Sequence, residues 1–179
     1  MSLPVDVLVT EHKLILQAVG LIEREIEQIQ NNNAVDHNFI ATAVDFFRTY
    51  ADRFHHGKEE GILFRELSQR QLKDTDQKIM KDLMIEHTFA RRTVTALEKE
   101  MESYVSGQKE ALNEVLDSLR TLVKLYPEHI QKEDKHFFYP CMRYFSKQEQ
   151  QEMQGNFLEF NRNFTDKKYK QIIVSLTKG

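Results

Sequence analysis

The chain has 179 residues, of which 40% are hydrophobic and 30% charged, and a formal net charge of -3 at pH 7. That balance gives no reason to expect nucleic acid or an anionic membrane surface as partner, and no apolar run approaches the roughly 20 residues of a membrane span. A single cysteine, Cys141, excludes an internal disulfide framework and suits a reducing cytoplasm. The opening residues MSLPVDVLVTEH lack the basic-then-apolar order of a secretory signal. Three prolines, six glycines and no long alternating run argue against a sheet. The expectation is a cytoplasmic, all-α protein.

Apolar residues recur at helical spacing in four long blocks. The first carries Val5, Leu8, Ile15, Val19, Ile22 and Ile29 and stops at NNNAVD. The second runs from about Asp36 through Phe46, Tyr50 and Phe54 to Leu67, where LKDTDQ follows. The third holds Ile79, Leu83, Ala90, Val94, Leu97 and Met101 and ends near VSGQKE. The fourth spans Leu112 to Phe137, and because its apolar phase continues past Pro127 that residue reads as a kink, not an end. Four such helices joined by short polar turns suggest an up-down-up-down bundle over residues 1–145. Residues 146–179 read as one or two shorter helices packed on it. There Tyr169, Ile172, Ile173 and Leu176 form a narrow apolar stripe, which fits packing on the bundle or a second subunit better than membrane contact.

The histidines fall on these helices in a pattern. His12 continues the seam of Leu8 and Ile15, and His87 that of Leu83 and Ala90. On the second helix, about 100° per residue puts His56 and Glu60 beside the apolar face and turns His55 to solvent. His129 and Glu133 flank the apolar face of the fourth. Counting residues to each turn and back returns every adjacent pair to nearly the same height. Six side chains, His12, His56, Glu60, His87, His129 and Glu133, are thus expected on one level. Two carboxylates buried there without a cation would each face a desolvation cost of several kcal/mol. A metal site removes that difficulty, and bundle cores are a known place for one. His136, one turn beyond Glu133, reads as packing behind the site; His37 reads as solvent-facing. Tyr50 and Tyr126 read as inward. Gly57 and Gly61, four apart on the inward side, allow either close helix packing or space for a small ligand beside Glu60.

The order H…HxxxE…H…HxxxE across residues 5–140 resembles the hemerythrin-like (HHE cation-binding) family. The resemblance rests on His12, the HGKEE that begins at His56, the EH that ends at His87, and the HIQKE from His129 to Glu133. It implies two non-haem iron ions with an oxo or hydroxo bridge, zinc or manganese being possible substitutes. Glu60 and Glu133 would bridge the metals, with the four histidines as terminal ligands. It also implies a small partner molecule, O2, NO or peroxide, for sensing, redox chemistry or iron handling. The alternative is a regulatory or interaction module whose iron or zinc is mainly structural. Oxygen-carrying members have a second histidine four residues after the one on the third helix, where this chain has Arg91. Four histidines, two bridging carboxylates and one bridging oxo or hydroxo group then leave about two of twelve octahedral positions open. Arg65 stands where many relatives have a proline.

Overall fold

The computed structural model describes residues 2–162 and 166–177, and among these every regular element is helical. Helix α1 is Asp6–Asn32. It stops at Asn33, whose φ of 52° is left-handed and whose N–H reaches Ile29 O at 2.8 Å, a helix end that asparagine tolerates. Helix α2 spans residues 37–68. Asp36 caps it, its Oδ1 accepting from Asn38 N at 2.9 Å and Phe39 N at 3.1 Å. Helix α3 is Asp74–Val105, with Asp74 and Asp76 in its first turn where the helix dipole favours negative charge. Gly107, with φ of 103°, supplies the turn into the next helix, a conformation a side chain would disfavour. Helix α4 spans residues 111–141 and runs on through Pro127. Helices α5, Lys147–Arg162, and α6, Asp166–Thr177, complete the chain.

Two of these helices are not α-helical throughout. Within α2, Phe46–His56 and Glu59–Phe64 are π-helical, and so is Glu133–Phe137 within α4. A π-turn closes i→i+5 bonds and is wider than an α-turn, so side chains along it lag the α-helical phase.

The core is built in two apolar clusters. One contains Ile15 and Val19 of α1, Phe46 and Tyr50 of α2, Ala90 and Val94 of α3, and Leu122 and Tyr126 of α4. The other contains Val5 and Leu8, Leu63 and Leu67, Met80 and Leu83, and Phe137 and Phe138. In each of the four helices the histidines of the sequence pattern lie between these two sets, so a polar layer is enclosed between two dry ones.

The C-terminal helices pack beside α1 and α2. Phe157 and Met153 of α5 and Tyr169 and Ile173 of α6 are buried; the side chain of Leu176 lies outside the described residues. Arg70 donates to Glu149 Oε1 at 2.6 Å, and Lys168 to Asp45 Oδ2 at 2.9 Å. Gly57 marks a close approach of α5, since a Cβ there would meet Phe160 Cζ at 3.1 Å. Gly61 is exposed, with open space around it, so neither glycine leaves a ligand space beside Glu60.

Cys141 is fully buried, and burial together with the nearby Asp76 carboxylate pushes its thiol up to about 12. The folded protein is expected not to react with an aromatic disulfide reagent at pH 8, and to release one equivalent of thiolate once unfolded. Rapid native reaction would show that the second apolar cluster opens readily.

Candidate metal centre

The π-turns of α2 change which side chains face inward. An α-helical phase turns His55 away from Phe46 and Tyr50, but the lag accumulated from Phe46 onward brings it back to their side. His55 is 1% exposed, not solvent-facing as its spacing suggested, and Glu59, four residues on, is 0% exposed. Glu60 follows Glu59 around the helix and sits at the edge of the layer, its side chain 30% exposed. His56 remains inside at 2%. The structure therefore brings together His12, His56, His87, His129 and Glu133 of the six expected residues, adds His55 and Glu59, and leaves Glu60 outside. The same effect acts on α4, where the π-turns beginning at Glu133 leave His136 exposed and bury Phe137 and Phe138 instead.

The seven residues form two sets of potential donors, His12, His55, Glu59 and Glu133 in one and His56, His87 and His129 in the other. Within each set one donor atom per residue lies within 4.8 Å of every other. Both carboxylates touch both sets. Glu59 is 3.1 Å from His55 Nε2 and 3.4 Å from His87 Nε2. Glu133 is 3.2 Å from His12 Nε2, 3.3 Å from His129 Nε2 and 3.8 Å from His87 Nε2.

Cations fit this arrangement on two observations. All four oxygens of Glu59 and Glu133 are buried with no aligned hydrogen-bond donor, a state that costs several kcal/mol per ion unless a cation compensates it. In addition, His12 Nε2 and His55 Nε2 lie 2.9 Å apart, and His87 Nε2 and His129 Nε2 lie 3.1 Å apart. Two nitrogens each about 2.1 Å from one ion and at right angles would be about 3.0 Å apart. When each ring is protonated on Nδ1 only, the two Nε2 lone pairs of a pair converge at a spacing that suits one metal ion.

An outer layer orients the rings. The Nδ1 of His12 faces Asp134 at 2.8 Å, that of His55 faces Glu11 at 2.9 Å, that of His87 faces Glu60 at 2.7 Å and that of His129 faces Glu86 at 2.8 Å. Each such carboxylate fixes the tautomer that leaves Nε2 free to coordinate. Cations stand behind three of them: Lys58, fully buried, on Glu11; Lys132 on Glu86; and Arg91 on Glu60 at 2.7 Å. Glu60 thus holds His87 and is itself held by Arg91. Arg91 Nε also reaches Asp52 Oδ1 at 2.7 Å, so its guanidinium ties the edge of the layer together where oxygen carriers would place an imidazole.

Without metal, these contacts decide the protonation of the layer. Burial works to deprotonate His12, but the carboxylates of Asp134 and Glu133 outweigh it and raise the ring to about 9. Burial likewise opposes the charge of Glu133 and the hydrogen bond with Glu86 at His129, which is raised to about 10. His55 and His87 are raised for similar reasons. His56 is lowered well below its ordinary value by burial and by the charges of His87, His55 and His129. Burial would raise Glu133, but His129 and His12 hold it well below the carboxylate range.

An all-helical protein with a buried layer of five imidazoles and two donor-less carboxylates belongs to the class of helical metal-binding proteins. Residues 3–143 match the family model of the hemerythrin HHE cation-binding domain, and the chain is a member of that family. No curated protein and no solved structure matches it significantly. The family model stops short of α5 and α6. Among the described residues no helix is long and apolar enough to cross a membrane.

Sequence reasoning missed His55 and Glu59, although a signal for them was present. The segment HHGKEE contains a second H-x-x-x-E pair one residue ahead of the first.

Proposed function

We propose that the protein holds two iron ions, one by His12 and His55 and the other by His56, His87 and His129, with Glu59 and Glu133 bridging. The single observation that carries this reading is the pair of fully buried carboxylates, each within reach of both imidazole sets and neither satisfied by a hydrogen bond. The order in which α1 to α4 meet the two apolar clusters alternates, which supports an up-down-up-down bundle over residues 1–145 with residues 146–179 as an extension. Five imidazoles, two bridging carboxylates and one bridging solvent group leave about one of twelve octahedral positions open, against about two with four imidazoles.

Bound iron would supply one- and two-electron redox chemistry and a position for O2, NO or peroxide. The protein's own part is to keep Nε2 of His12, His55, His87 and His129 unprotonated through their Nδ1 carboxylates and to exclude bulk water with the two apolar clusters. The test is metal analysis of protein produced with iron, together with the optical spectrum of the air-oxidised form. About two irons per chain and a ligand-to-iron charge-transfer band are expected. Stoichiometric zinc without such a band would instead support a mainly structural metal. A chain that takes up neither metal would remove the proposal.

A further inference from the structure

His56 differs from the other four imidazoles. Their Nδ1 atoms have carboxylates at 2.7 to 2.9 Å, whereas His56 Nδ1 is buried without a hydrogen-bond partner, 3.4 Å from Asp52 Oδ1. Asp52 is already committed to Arg91 Nε at 2.7 Å. What holds the His56 ring is mainly its stacking on His87, with centroids 3.8 Å apart and planes inclined by 13°. His56 is the least restrained ring of the layer.

It also stands at an opening. A cavity of about 250 Å³ between α2 and α3 reaches His56, lined by Arg48, Asp52, Arg53, Arg91 and Tyr126 among others. Behind it, His56, His87 and His129 meet at a crevice too narrow to admit a water molecule, and Tyr126 and Ala90 line both the cavity and this crevice. By contrast, the larger cavity of about 440 Å³ beside α1 reaches Glu11 but none of the seven candidate ligands.

We propose that His56 is an exchangeable donor and that the arginine-lined cavity is the docking site of the external ligand that replaces it. This rests on the two-metal reading above. The ligand class is a small nitrogen or oxygen donor of a few heavy atoms. Anions are favoured by Arg53: of the three guanidinium groups lining the cavity, Arg48 is paired with Glu98 and Arg91 with Asp52 and Glu60, whereas Arg53 has no ion pair among the described residues. In the exchange, one donor bond to His56 Nε2 breaks as one to the incoming molecule forms, and no electron is transferred. The displaced ring has space to move into the cavity it borders.

The test compares His56→Ala with His55→Ala, whose ring lines neither space. Each cobalt(II)-loaded variant is equilibrated with a fixed chelator concentration, with and without millimolar imidazole, and retained cobalt is measured. His56→Ala is expected to retain cobalt about tenfold less tightly than the parent. Imidazole, which fits the cavity, should restore it, and should not restore His55→Ala. In the unaltered protein, azide should shift the nuclear magnetic resonance signals of the His56 ring and saturate; this arm does not depend on the variants folding. Arg53→Glu should slow azide binding about tenfold while leaving neutral imidazole unaffected.

Failure of imidazole to restore His56→Ala, or equal restoration of His55→Ala, overturns the proposal, as does an azide titration that leaves the His56 ring unmoved. If the unaltered chain binds metal in those cases, only the exchange is wrong. A chain that binds no cobalt or iron removes both this inference and the reading beneath it.

Discussion

Glu59→Ala will strip most of the metal from the protein, whereas the neighbouring Glu60→Ala will leave it largely loaded. Glu59 is fully buried and within 3.4 Å of an imidazole of each set, so its removal takes away donors from both sides of the layer. Glu60 touches only the outer nitrogen of His87 and is shared with Arg91. Losing such an outer partner costs about 10–100-fold in affinity, far less than losing a bridging group. Metal content after dialysis against graded chelator measures the difference. Equal loss in both variants, or the reverse order, would show that the π-helical phase of α2 is wrong.

Metal removal will lower the melting temperature by about 8–16 °C at neutral pH. Free metal at about 1,000 times its dissociation constant contributes about 4 kcal/mol, and each kcal/mol moves the melting point of a chain this size by about 2–4 °C. The gap will widen as the pH rises. In the metal-free protein His12 and His129 hold their protons to about 9 and about 10, against about 6.5 when unfolded. A raised folded value contributes stability that is full below about pH 6.5 and is lost as the pH climbs through about 9 to 10. The loaded protein follows the opposite sign, because its imidazoles must be unprotonated and acid displaces the metal. Melts of both forms at pH 6, 7.5 and 9 check this. A metal-free form that gains stability toward pH 9 would contradict the protonation pattern of the layer.

Much of the centre could be read before any coordinates. His12, His87, His129 and Glu133 face inward as their α-helical spacing requires, since α1, α3 and α4 up to Lys132 keep that phase. The common height followed from nothing more than helix rise and turn position. The absence of a fifth imidazole at position 91, which is Arg91 here, was also visible, but its replacement was not. The structure finds it on another helix, where His55 and His56 both enter the layer.

Composition, helical periodicity and residue spacing by themselves determined an all-helical chain with histidines and carboxylates at one level. These depend on the 3.6-residue repeat and on which side chains favour burial, both local properties. Tertiary structure brought His55 in beside His56 and decided between Glu59 and Glu60, because HHGKEE carries two overlapping H-x-x-x-E pairs that differ by one residue. An α-helical phase presents His56 with Glu60; the π-turns add His55 and Glu59, keep His56 inside and move Glu60 to the edge. The π-turns have no recognisable local code, and their own Phe46, Tyr50 and Phe54 pack into one apolar cluster while Leu63 and Phe64 pack into the other. The partners that orient the rings are equally remote: Asp134 lies 122 residues from His12, and Glu11 lies 44 from His55. Such pairings exist only once four helices have packed, so no reading of a single helix reveals them.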